Sequence, residues 1–385
     1  MNNNNNLVLT KYGSVFFWGI SFILLLPIML FPPHFQPSDW NRAMLFRIVL
    51  TGLAIFFLYK YSFKKEPIPF PKIKNPVFLP VALLLAFIFF VFLSSIFSQD
   101  IRFSFFGSPL RAGGFLNLLF YVFFAATLVY FVGYDKWKKL FNVLLVAGTL
   151  ASLLAIIQYF NLFKKIFLSS GGGSTPSFLG NSAFFAIYMI FLVFLTLTLF
   201  IQEKNRGKKW TYLGLMCLFA FSILISGSRA AYLGVLTGSI FYLIIYPKKL
   251  KILKISAASI LLSAILIVAI FNFFPQISKT NSMLSIISDR LSIKKAAVDL
   301  AGTRLSAWQI TWQAIKEKPW LGWGPENSYI GFEKYYDPTL SNLQKLWWDR
   351  PHNIFLEIWS NSGIFTLIFY IAFWVLLLWQ LQKFK

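Results

Sequence analysis

Residues 182–201 read SAFFAIYMIFLVFLTLTLFI, twenty consecutive positions without a charged side chain. An α-helix rises 1.5 Å per residue, so such a run covers about 30 Å, the thickness of a bilayer's hydrocarbon core. It lacks the period-two alternation of a half-buried strand and reads as a membrane span. Comparable runs recur at 13–31, 43–59, 76–97, 113–133, 139–160, 210–226, 230–246, 254–274 and 363–381. The 385 residues are therefore expected to form an all-α polytopic membrane protein with ten spans, nine of them within 1–274. Composition agrees: 57% of residues are hydrophobic and 13% charged, about half the charged share of a soluble domain, which excludes a compact soluble globule.

The formal charge of +23 suggests nucleic acid in a soluble protein, but here the basic residues cluster between apolar runs. Connections after the second, fourth, sixth and eighth spans hold sixteen Lys and Arg, among them Lys64, Lys65, Lys138, Arg206 and Lys249. The short odd connections hold six: Arg42, Arg102, Arg111, Lys164, Lys165 and Arg229. By the positive-inside rule both termini of the chain are cytoplasmic and the odd connections face outward, so the expected partner is the lipid bilayer and not nucleic acid. Residues 16–31 have no small-residue cleavage pattern after them and read as the first span, not a removed signal peptide. Cys217, the one cysteine, reads as a packing thiol within the membrane.

The ninth connection, 275–353, is the long polar segment and faces outward in this scheme. A structureless loop of that length is unusual, so it should contain elements of its own. In RLSAWQITWQAIKEK, residues 304–318, Trp308, Trp312 and Ile315 fall on one helical face, predicting an amphipathic helix that lies on the membrane or caps the bundle. A second helix is expected within 281–300.

The chain has no Walker A loop, dinucleotide fingerprint or zinc signature, and its histidines are His34 and His352. No cofactor or metal is expected. Span interiors nearly free of charge weigh against ion-coupled transport. Four outward segments carry candidate chemistry. FSFFGSPLRAGG offers Arg102 and Arg111, as anion ligands or as interfacial anchors. SSGGGSTPSFLGNS, residues 169–182, reads as a flexible turn, with closure over a substrate as the other reading. ISGSRAAYLG places Arg229 in a very short connection, where it either grips a phosphate in an outward cavity or simply ends a helix. The last segment couples Arg304 to DRPHNIFLEIWSNSG, residues 349–363, in which His352 is a general base or a structural hydrogen-bonding group, and Glu357 could orient a neighbour.

The SGSRAAYLG turn, the element GTRLSAWQITWQAIKEKPWLGWGPENSY, the following PHNIFLEIWSNSGI and the long outward segment between late spans together resemble the O-antigen ligase and O-antigen polymerase superfamily of bacterial membrane glycosyltransferases. The specific part lies within residues 222–370. The resemblance implies a GT-C-like helix bundle in the cytoplasmic (inner) membrane with a large outward helical loop, spanning 1–385 as one domain. It implies an undecaprenyl-diphosphate-linked glycan donor, a lipid A-core, other glycan or protein acceptor, and metal-independent, inverting transfer. On that resemblance His352 assists the acceptor hydroxyl, while Arg229 and Arg304 hold the donor diphosphate, with Arg111 and Arg102 as further substrate contacts. Trp308, Trp312, Trp320, Trp323, Trp347 and Trp348 are expected to stack on sugars or to form an interfacial belt. Such ligases commonly carry two spans after the large loop, so the single one here implies a shorter branch or a truncated chain. Ligase is the leading expectation, followed by repeat-unit polymerase, protein O-oligosaccharyltransferase and small-anion transporter.

Overall fold

The computed structural model describes residues 13–29, 38–63, 75–108, 113–162, 175–245, 251–274, 304–338 and 350–383, with a few single positions between 276 and 294. Arg111, Trp347, Trp348 and most of the helix expected within 281–300 lie outside the described residues. Along the chain run α1 (Gly13–Leu25), α2 (Ser38–Leu58), α3 (Asn75–Ile96), α4 (Ile101–Phe106), α5 (Phe115–Phe131), α6 (Tyr134–Tyr159) and α7 (Ser182–Gln202). They continue with α8 (Arg206–Ser226), α9 (Arg229–Ile245), α10 (Lys251–Phe273), α11 (Leu305–Glu317), α12 (Ser328–Lys334) and α13 (Ile354–Lys383). Six of them, α2, α3, α6, α7, α8 and α13, are long and apolar enough to cross a membrane, and α1 and α5 are shorter apolar helices. The protein is thus an all-α polytopic membrane protein, and its described residues form two compact units.

The first unit comprises residues 1–64 and 127–296. Its core lies where α6, α7 and α8 meet, with Ala151, Ala155, Phe185, Met189, Leu192 and Phe219 all buried. Small residues on α6 let the helices approach: a side chain at Gly148 would stand 2.1 Å from Leu192 Cδ1 and 3.2 Å from Phe219 Cε1. The opposite face of α7 exposes Phe184, Ile187 and Phe191, as a helix facing lipid would. Cys217 is also exposed, on α8, so the thiol faces away from the protein instead of packing inside it. The described part of the glycine-rich connection is anchored. Ser177 Oγ donates to Ala151 O at 2.6 Å, Gln158 Oε1 accepts from Ser177 N at 2.8 Å, and Thr175 Oγ1 donates to Ile225 O at 3.0 Å. From Thr175 onward this is a packed turn and not a flexible one.

The second unit comprises residues 65–126 and 297–385, so α5 carries the chain from one unit into the other. Here α3 packs along α13, with Phe90 stacked on Phe365 and Phe369 at centroid distances of 5.1 and 5.5 Å. At Gly363, φ is +80°, and α13 is two helices joined at a kink. The kink interrupts the helical ladder and leaves carbonyls free. Those of Ser360 and Asn361 accept from Trp323 N at 2.9 Å and Gly324 N at 2.8 Å, while Ile364 N donates to Pro319 O at 3.0 Å. The PWLGWGP turn is thereby stitched, main chain to main chain, into the break in α13.

Three indoles complete the frame: Trp308 Nε1 donates to Pro351 O (2.8 Å), Trp323 Nε1 to Ala314 O (3.0 Å) and Trp359 Nε1 to Pro319 O (3.0 Å). The buried stripe of α11 is Ala307, Ile310, Thr311, Ala314 and Ile315, with Trp312 exposed. The helix forms where amphipathicity predicts it, but turned so that small residues, which allow close approach, face inward and Trp308 and Trp312 do not lead the buried face.

A Cβ at Gly363 would lie 1.9 Å from Trp320 O, a main-chain atom that cannot swing aside. Gly363→Ala is therefore expected to lower stability by at least about 3 kcal/mol, read as a large drop in melting temperature of the detergent-solubilised protein. Gly52→Ala, in a helix with open space around the glycine, should leave it unchanged or slightly raised. A second expectation concerns α12. Glu317 accepts from Lys334 Nζ and Tyr335 Oη, both at 2.8 Å, and these bonds, that from Lys334 first, hold its carboxyl below the ordinary range. A depressed carboxyl keeps its link above the unfolded value and loses it only as pH falls through the lowered one. Amide protection of α12 should accordingly persist on acidification through the usual carboxylate range, and Glu317→Gln should abolish that persistence in hydrogen-exchange measurements.

Candidate functional site

The second unit contains an open cleft of about 290 Å³ between α3, α5 and the first turns of α13. Its polar side is assembled by the turn that docks on the α13 kink. Asn327, fully buried, donates through Nδ2 to Asp100 O at 3.0 Å and to Ser104 Oγ at 2.6 Å, and Ser104 Oγ donates to Pro325 O at 3.0 Å. These bonds clasp the GPEN turn to α4 and force Glu326 into the left-handed region at φ +62°. Gly113 is the residue that admits the Glu326 carboxylate, because a Cβ there would lie 2.5 Å from Oε1.

Arg350 is the centre of the cleft's charge. Its Nη1 donates to Glu357 Oε1 and its Nη2 to Glu326 Oε1, both at 2.6 Å. Charge-assisted bonds of this length, to carboxylates only 11% (Glu326) and 20% (Glu357) exposed, are strongly directional. Glu357 sits in the first turn of α13, where a helix N-terminus favours negative charge, and Asn353 caps the same helix, its Oδ1 accepting from Phe355 N at 3.0 Å.

His352 lies in the chain between Arg350 and Ile354, both of which line the cleft, and is itself exposed. Its φ of +49° is costly for a residue with a Cβ. In this unit the described non-glycine residues with positive φ are Glu326 and His352, both in this one cluster. Arg304, exposed, immediately precedes α11 and stands one turn before Trp308, whose indole holds the carbonyl next to His352. The structure thus gathers the Arg304 end of α11 and the His352 turn at one end of the unit. Arg102 is exposed on α4 of the same unit. Arg229 belongs to the first unit, where it is half-buried at the start of α9, two residues after the left-handed Gly227 that ends α8.

Sequence alone assigns Arg350 and Glu326 no role. The signal available was their place in the motifs DRPHN and PENSY; what could not be seen is that a guanidinium and a carboxylate 24 residues apart meet. Trp323 is buried and Trp308 is tied to main chain, so these two serve the frame and not an open sugar platform; Trp312 and Trp320 remain exposed. Among the described residues no group of three or more His, Cys, Asp or Glu could hold a metal.

Residues 213–371 match a family model described as O-antigen ligase. The ComP-specific O-oligosaccharyltransferase of Acinetobacter baylyi is 24% identical over 363 residues, covering 92% of this chain and 60% of that protein. The teichuronic acid biosynthesis protein TuaE of Bacillus subtilis is 26% identical over 276 residues, covering 68% of this chain and 54% of its own. A putative polysaccharide ligase of Rickettsia felis is 26% identical over 281 residues, 70% of this chain and 63% of that one. The chain thus spans between half and two thirds of the length of these relatives. Low but consistent similarity points to the broad O-antigen-ligase-like superfamily.

Proposed function

We propose that this chain transfers a glycan from an undecaprenyl-diphosphate-linked donor to a lipid or glycan acceptor at the outer face of the cytoplasmic membrane, without metal and with inversion at the anomeric carbon. The observation that carries this reading is that the O-antigen ligase match, residues 213–371, contains Arg229, Arg304 and His352 together. In the reaction the acceptor hydroxyl oxygen attacks the anomeric carbon while the bond from that carbon to the diphosphate oxygen breaks. His352 takes the hydroxyl proton, and the electron pair of the broken bond leaves with the lipid diphosphate. The donor already carries an activated carbon and a good leaving group, so positioning and electrostatics suffice. Arg229 and Arg304 hold the diphosphate through paired hydrogen bonds and offset the charge that grows on it as the bond breaks. Arg111 and Arg102 act as auxiliary phosphate contacts. In this reading 275–353 is the outward segment of one ligase-like membrane domain, and both ends of the chain are cytoplasmic.

The exposed His352, held at positive φ two residues after the cleft-lining Arg350, supports its role, since unfavourable backbone conformations persist where the surroundings over-determine them. A protein acceptor is the second reading, favoured by the relative described as an O-oligosaccharyltransferase, which aligns with 92% of the chain.

In a reconstituted assay with native lipid-linked glycan, metal chelator and a panel of lipid, glycan and protein acceptors, the unaltered chain should transfer. His352→Ala should slow turnover by about 100-fold or more while keeping its melting temperature. Arg229→Ala and Arg304→Ala should each cost about 10- to 100-fold, and the corresponding lysine variants should recover only part, because lysine cannot supply the planar fork. Full activity of folded His352→Ala would remove the general-base role. The acceptor used would separate ligase, polymerase and protein transferase.

A further inference from the structure

The transfer reading leaves the cleft's own chemistry unused. Glu326 and Glu357 each engage Arg350 through Oε1, and no described residue donates to either Oε2. Both side chains line the cleft, so these free acceptors open onto it. Asn361 lines the same cleft, and its Oδ1 is buried without a partner. Phe87, Val91, Phe115 and Leu118 line the cleft as well. A lining that combines acceptors with apolar side chains offers groups for both aspects of a sugar ring, its hydroxyls and its C–H face. A volume of about 290 Å³ is at the small end for ligand sites and suits one monosaccharide residue.

Charge separates this cleft from a phosphate site. One guanidinium between two carboxylates leaves the described lining one negative charge in excess, and both directed arms of Arg350 are already occupied. A diphosphate entering here would face two carboxylates and would have to displace them from their bonds.

We propose that this cleft is a subsite for a neutral or amino sugar, read through its hydroxyl or amino hydrogens by Glu326, Glu357 and Asn361, with Arg350 setting the spacing of the two carboxylates. Under the glycan-transfer reading, on which this assignment of the occupant rests, the sugar is that of the acceptor. The donor brings a diphosphate that the lining disfavours, and the hydroxyl to be deprotonated must reach His352, whose chain neighbours Arg350 and Ile354 line the cleft.

The test is saturation-transfer NMR on the full chain in detergent, with glucose, glucosamine, glucose 1-phosphate and inorganic pyrophosphate as probes and no donor present. Glucose or glucosamine should bind, glucose 1-phosphate about tenfold more weakly, and pyrophosphate should not displace the sugar. Glu357→Gln and Glu326→Gln should weaken sugar binding about tenfold. Asn361→Ala guards against misfolding as the cause: its Oδ1 has no hydrogen-bond partner to lose, so the variant should keep the wild-type melting temperature and still weaken binding severalfold. No transfer to either sugar, unchanged binding in folded Asn361→Ala and Glu357→Gln, or displacement of sugar by pyrophosphate would each overturn the proposal. Turnover separates the two readings. Sugar binding without glycan transfer would keep the subsite and remove the transferase, whereas transfer with an unchanged acceptor KM in these variants would do the reverse.

Discussion

The second unit depends on one break in one helix. At Gly363 the chain leaves helical geometry, and the carbonyls of Ser360 and Asn361, which an unbroken helix would satisfy internally, accept instead from Trp323 and Gly324. A membrane-spanning helix tolerates freed carbonyls only where protein supplies donors. The PWLGWGP turn supplies them, and that places GPEN against α4 and Glu326 over Gly113. The polar cleft therefore follows from main-chain hydrogen bonding, before any side-chain charge is considered.

Side-chain chemistry then builds on that frame with little freedom left. Arg350 has a carboxylate on each arm, one from the docked turn and one from the first turn of α13, so the chain immediately before His352 is held at both ends. Trp308 adds a third tether at the carbonyl of Pro351. A residue at positive φ between such anchors keeps a conformation it would abandon in isolation. Under the proposed function, preorganisation of this kind suits transfer between lipid-borne substrates, where the enzyme would supply position and charge and the donor the leaving group.

The arginines divide by environment. Arg350 is neutralised by carboxylates within the cleft, whereas Arg304 is exposed at the head of an amphipathic helix and Arg229 is half-buried at a helix start in the other unit. Under the proposed function the exposed and half-buried ones meet phosphate, and the neutralised one shapes a subsite for hydroxyls.

Membrane class, all-helical architecture and the helix at 305–317 were legible in the sequence, because each follows from local apolar content or helical period. His352 and Arg304 stood out for the same reason, as polar groups at the edges of apolar runs. The inward face of α11, the anchoring of Thr175 and Ser177, the structural duty of Trp308 and Trp323, and the meeting of Arg350 with Glu326 and Glu357 did not, since each is settled by a partner distant in the chain. By itself the sequence determined where the chain is apolar, where it turns and which residue types stand at the turns. Only the tertiary structure decided which carbonyls the kink frees, what fills them and which charges thereby share one cleft, because hydrogen bonds and ion pairs depend on distances in space that no local pattern encodes.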